Sequence, residues 1–92
     1  MVLSFRRKGL QRYFESVTKA GIQAQHSARL RVVLARLHAA QDPKDLNLPG
    51  LRLHLLGGRL DGFYSVMISG NGRVIFRFEG QDAFDVDYLD YH

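Results

Sequence analysis

The stretch from Gly62 to Leu89, "GFYSVMISGNGRVIFRFEGQDAFDVDYL", decides the fold. Apolar and polar residues alternate through three runs, the period of a strand with one face buried. Glycine-bearing triplets, "GNG" at 70–72 and "GQD" at 80–82, separate the runs. Read as three-residue hairpin loops, they set a register. Tyr64, Val66 and Ile68 then share a face with Val74, Phe76 and Phe78, and with Phe84, Val86 and Tyr88. A slip of one residue would carry Asp85 and Asp87 into that core, so the pattern selects this register. The opposite face holds Ser65, Met67, Ser69, Arg73, Ile75, Arg77, Asp85 and Asp87, with Arg77 facing Asp85.

Upstream, "LRLHLL" at 51–56 puts Leu51, Leu53 and Leu55 on one side, and Arg52 and His54 on the other. Before it, "QDPKDLNLPG" reads as a loop. Leu30, Val33, Leu34 and Leu37 form the stripe of a helix over about 23–39. Leu10, Tyr13, Phe14 and Val17 mark an earlier helix over about 7–18, which Gly21 can stop. "VLSF" at 2–5 reads as a short strand. The expected architecture is α+β, with two N-terminal helices packed on one face of a curved, mainly antiparallel sheet. Residues 1–92 make one domain.

Composition narrows the chemistry. The 92 residues include no cysteine, which removes disulfides, thiolate metal sites and cysteine nucleophiles and suits a cytoplasmic setting. The opening "MVLSFRRKGLQ" has no long apolar run, so neither a signal peptide nor a membrane span is expected. Net charge is +4. Residues 1–40 carry eight Lys or Arg against Glu15 alone, whereas residues 82–92 carry four Asp and no Lys or Arg. A basic first half attracts a polyanion such as RNA or an acidic protein, or is simply a solvated helix surface. His26 and His38 read as plain surface residues.

Convergence marks the candidate site. His54 and Arg73 fall on the open sheet face, and the last strand carries Asp90, Tyr91 and His92 to one edge. An arginine, two histidines, an acid and a phenol around one concave surface suit phosphate chemistry. Two histidines and an aspartate also suit a divalent metal, but their spacing fits no metal motif.

From residue 51 onward the chain resembles the HigB-type branch of the RelE/ParE toxin superfamily. "LRLHLL", "GFYSV", "NGRVIFRF" and the final "DYH" carry the likeness, and "SFRRKGLQRYFE" matches that branch's opening. The resemblance implies a RelE-like fold and a bacterial toxin that enters the ribosomal A site and cuts mRNA there. It also implies a helix-turn-helix antitoxin partner, with contact to DNA only through the antitoxin complex. RNA carries its own nucleophile, so no metal or other cofactor is expected. By position, the family's functional residues fall on His54, Arg73, Asp90, Tyr91 and His92. Arg6, Arg7, Lys8, Arg12, Arg52, Arg59 and Arg77 are the candidate contacts to RNA and ribosome. The family commonly has proline and lysine where this chain has Leu55 and Gly57; either Arg59 supplies the missing charge or nothing does. Gly72 replaces a tryptophan beside Arg73, and Phe63-Tyr64 replaces a Tyr-Trp pair. Two rival readings share the fold: a ParE-like gyrase inhibitor, and a non-catalytic module that binds an antitoxin and helps repress their promoter.

Overall fold

The computed structural model describes residues 1–16, 24–69 and 72–90. Helix α1 spans Lys8–Ser16 and α2 spans Ala24–Ala39. Four strands follow: β1 His54–Leu55, β2 Tyr64–Ser69, β3 Gly72–Glu79 and β4 Asp82–Asp90. They pair antiparallel in the order β1-β2-β3-β4. Val17 and Gly21 lie outside the described residues, as do Gly70, Asn71 and the side chain of His26.

The helical stripes form the core with one face of the sheet. Leu30, Val33, Leu34 and Leu37 are fully buried, and Leu10 and Tyr13 join them from α1. They meet Val66, Ile68, Val74, Phe76, Val86 and Tyr88, while Tyr64 and Phe78 pack at the margin. Phe76 is fully buried and rings the margin residues together, stacked on Tyr64 and edge-on to Phe78. Truncating such a residue to alanine costs about 3–5 kcal/mol, a large share of a small domain's stability.

The registers differ from those expected, in two instructive ways. Between β2 and β3, Val66 faces Val74 and Tyr64 faces Phe76. This is two residues away from a three-residue loop's register, and Gly72 already belongs to β3. From Tyr64 to Met67 the displacement is even and leaves side chains on their faces, so the core survives it; a further one-residue shift falls between Met67 and Ser69, where Ser69 faces Gly72. Between β3 and β4 the displacement is odd. The turn is the two residues Gly80 and Gln81, with Gly80 at φ 61, and positive φ at the first central position suits a primed hairpin turn. Phe78 therefore faces Ala83, and Arg77 faces Phe84. Ala83 takes the core position expected of Phe84, which lies half-buried on the other face. A bulge between Ile75 and Arg77 absorbs the extra residue and restores the phase, so that Val74 faces Tyr88. Its left-handed residue is Asp85, at φ 53.

The N-terminal segment secures that bulge. Val2 and Phe5 bridge to Ala83 and Val86 in parallel rather than forming a full strand. Leu3 N–H donates to the Ala83 carbonyl at 2.8 Å, and Arg6 N–H to the Val86 carbonyl at 2.9 Å. This pairing covers the outer edge of β4. Ser4 Oγ accepts a 2.8 Å bond from the Asp85 backbone N–H. His38 is more than a surface residue: its Nδ1 accepts from Val2 N–H at 3.2 Å, and its ring packs on Phe14.

The "LRLHLL" strand is much shorter than its alternation suggests. Arg52 takes φ 50, which breaks the extended run. Leu51 is buried and its carbonyl accepts from Met67 N–H at 2.6 Å, but Leu55 is 63% exposed. Only His54 and Leu55 pair as a strand, His54 opposite Ser65.

Candidate active site

A cleft of about 330 Å³ opens on the sheet face away from the helices. His54, Leu56, Gly57, Leu60, Ser65, Arg73 and Ile75 line it. His54 comes from β1, Ser65 from β2, and Arg73 and Ile75 from β3. The short 3-10 turn Gly58–Leu60 closes one side. Thus two of the five expected catalytic side chains share one cavity.

Arg73 is half-buried, with Met67 and Leu89 as its cross-strand neighbours. It makes no ion pair among the described residues. A guanidinium held beside apolar neighbours keeps its full charge for an anion entering the cleft. β4 ends at Asp90, whose backbone lies opposite Gly72, one position from the Arg73–Leu89 pair. The Asp90 side chain, Tyr91 and His92 lie outside the described residues. Among the described residues, no three metal-ligating side chains cluster.

The basic residues divide into two groups. Arg7 Nε holds Asp87 Oδ1 at 2.9 Å, and Arg6 Nη1 lies 4.0 Å from Oδ2. Asp87 is buried and also accepts from Tyr88 N–H at 2.9 Å. Arg77 binds Asp85 through Nε at 2.9 Å and Nη2 at 2.8 Å, as the sequence suggested. The Asp85 hydrogen bond is the chief reason that its pKa rises above the usual guanidinium value. Arg6 and Arg77 both lie over the Phe63 ring, at 5.8 and 5.9 Å. Lys8, Arg12, Arg52 and Arg59 are exposed. Arg59 sits in the turn beside the cleft, flanked by its lining residue Leu60.

Sequence reasoning missed what Ser65 and Asp87 do. The alternation places both on the polar face, and both are buried there. Asp87 tethers the basic start of the chain to the sheet. Ser65 Oγ has no hydrogen-bond partner among the described residues, and a buried hydroxyl left unbonded costs roughly 1–3 kcal/mol. The available signal was its register with His54, which needs the hairpin pairings rather than the alternation alone.

The model of the RelE-like toxins of type II toxin-antitoxin system HigB matches residues 3–92. This chain belongs to the HigB-like toxin family. Membership implies an antitoxin partner. Among curated proteins, the toxin is 35% identical to "Endoribonuclease HigB" of Proteus vulgaris over 92 residues, the whole of both chains. Among solved structures, it is similar to a YoeB/ParE toxin from Agrobacterium tumefaciens, with a TM-score of 0.57. That likeness covers 99% of this chain and 96% of the other at 14% identity, and it speaks for the fold alone. Among the described residues, no helix of the toxin is long and apolar enough to cross a membrane.

Proposed function

We propose that the toxin cuts messenger RNA in the ribosomal A site, without a metal, by attack of a ribose 2′-OH on the adjacent phosphate. Endoribonuclease activity as such rests on the family and on the full-length identity to a relative of that name. The observation that carries the finer reading is the cleft in which His54 and an Arg73 with no ion pair among the described residues meet.

RNA brings its own nucleophile. The 2′-oxygen loses its proton and bonds to phosphorus as the bond to the 5′-oxygen breaks, and the leaving oxygen takes a proton. The protein has to supply a base, an acid and positive charge for the transition state. Arg73 spans two phosphate oxygens with its fork of donors. His54 and His92 form the acid–base pair, because imidazole exchanges protons near neutral pH. Asp90 orients a histidine or takes the proton itself, and Tyr91 stacks on a base or bonds the phosphate. Exposed Lys8, Arg12, Arg52 and Arg59 face ribosomal RNA, whereas Arg7 and Arg77 serve first as internal ties.

The test is cleavage of mRNA on programmed ribosomes, with and without EDTA. New RNA ends at the A-site codon, undiminished by chelator, are expected. Cleavage that vanishes in EDTA and returns with zinc would sink the metal-free scheme. Growth arrest with DNA damage and intact mRNA would favour the gyrase-inhibitor reading.

A further inference from the structure

We infer that Ser65 is the positioning residue for His54: its hydroxyl fixes the imidazole in the orientation the reaction needs when RNA fills the cleft. This rests on the reading of His54 as an acid–base group.

The argument begins with an anomaly. Ser65 is 1% exposed and lines the cleft, and its Oγ has no partner among the described residues. Alanine would fill nearly the same space without burying an unbonded polar atom, so folded-state stability alone does not favour serine here. A side chain that reaches the hydroxyl within the same cavity would satisfy it.

The sheet register favours His54 as that partner. Of the other side chains lining the cleft, only His54 and Arg73 can hydrogen-bond; Leu56, Leu60 and Ile75 cannot. Ser65 lies directly opposite His54 on β1 and Ile75 on β3. Arg73 pairs with Met67 instead, so it is only a diagonal neighbour of Ser65. Directly opposed residues have Cβ atoms about 4.5–5.5 Å apart, whereas diagonal ones stand about 7–8 Å apart. Serine meets an imidazole across the first distance directly, whereas the second is spanned only by the long, flexible chain of Arg73. His54 itself is exposed, so its ring is free to turn over Ser65.

Chemistry favours a hydroxyl for this task. It donates to an unprotonated ring nitrogen and, by rotating, accepts from a protonated one. The same side chain can hold the imidazole before and after it gains or loses a proton. A carboxylate in that place would favour the charged ring, and an amide would present a fixed donor or acceptor. Ser65 is thus suited to steady a group that changes protonation state during one turnover.

The test is a double-mutant cycle in single-turnover cleavage on programmed ribosomes, with His54→Gln, Ser65→Ala and the pair together. Ser65→Ala should lower the saturating rate about tenfold, the worth of one hydrogen bond. The half-saturating toxin concentration should stay within about twofold, as for a group acting only on the chemical step. The pH–rate limb that His54→Gln abolishes should be displaced. Adding Ser65→Ala to His54→Gln should cost nothing more. The melting temperature of Ser65→Ala should equal or exceed that of the wild type, and Ser65→Cys, of similar size with a weak donor, should recover part of the rate. A wild-type rate and pH profile in Ser65→Ala, or losses that simply multiply in the double variant, overturn the inference. His54→Gln cleaving at the wild-type rate instead removes His54 from the mechanism, and the reading falls with it.

Discussion

Arg73 and Arg77 are the same residue on the same strand, and both point to the open face of the sheet. Arg77 is held by Asp85 through two nitrogens, has Glu79 at 3.4 Å, and lies over Phe63. Arg73 has Met67 and Leu89 beside it and no ion pair among the described residues. The difference comes from β4, not β3. At one end of β4 the bulge brings an aspartate to Arg77. Further along, where the regular register has resumed, β4 offers Arg73 a leucine. A guanidinium already neutralised by the fold has little left for a phosphate, so the two arginines are suited to different work.

One deletion and three substitutions separate that work, beginning with the largest effect. Deleting His92 should leave melting unchanged and slow ribosome-dependent cleavage by about 10²–10⁴, the usual contribution of a proton-transfer group. Undiminished cleavage would take His92 out of the mechanism and leave Arg73 and His54 to explain it. Arg73→Ala should cost about 10²–10³ in the same assay, as loss of a transition-state donor does, and should leave denaturant midpoints close to wild type. A wild-type rate would make the two arginines equivalent and end the comparison. Ser4→Ala tests the bulge from the other side. It removes the acceptor for Asp85 N–H and should lower unfolding stability by about 0.5–1.5 kcal/mol, with little change in rate. Chemical denaturation measures this, and a large loss of cleavage would couple the bulge to the cleft. Arg77→Ala should have the smallest effect: cleavage within about twofold of wild type and a smaller drop in melting temperature than Ser4→Ala. Because the Arg77 pKa is raised, its proton-linked stabilisation is complete below the ordinary guanidinium range and lost only in more alkaline solution. Between pH 5 and 9, the Arg77→Ala effect should therefore show no dependence on Arg77 ionisation.

Much of this architecture is legible in the sequence because alternation reports parity. Val66, Ile68, Val74, Phe76, Val86 and Tyr88 reach the core as the pattern requires, and His54 and Arg73 meet on the other face. Alternation is blind to an even displacement, so the two-residue shift of β2 against β3 leaves no trace in the pattern. It is equally blind to an odd displacement that a bulge cancels, which is how Phe84 and Ala83 exchange faces. Backbone choices at Gly80, Asp85 and Arg52 decide those cases, and they depend on tertiary partners such as Ser4. Ser65 was legible as a face but not as a buried hydroxyl, since burial on the open face depends on the cleft walls. Of the terminal triplet, the backbone of Asp90 stands at the end of β4, opposite Gly72, as a continuing strand requires.

The pairing of residues 2–6 with β4 also has a kinetic meaning. Ser4 and Asp85 are 81 positions apart in the chain. Contacts of such separation bear a closure entropy that local hairpins do not, and they are expected to form late. The β3–β4 hairpin can assemble first and carry Arg73 with it, while the bulge at Asp85 gains its Ser4 tie only when the two distant segments meet. Loosening that tie should mainly speed unfolding and leave the folding rate almost untouched. In the cell, where an antitoxin is in play, a toxin that opens first along this seam would present β4 as a bare strand edge, open to pairing with another extended segment.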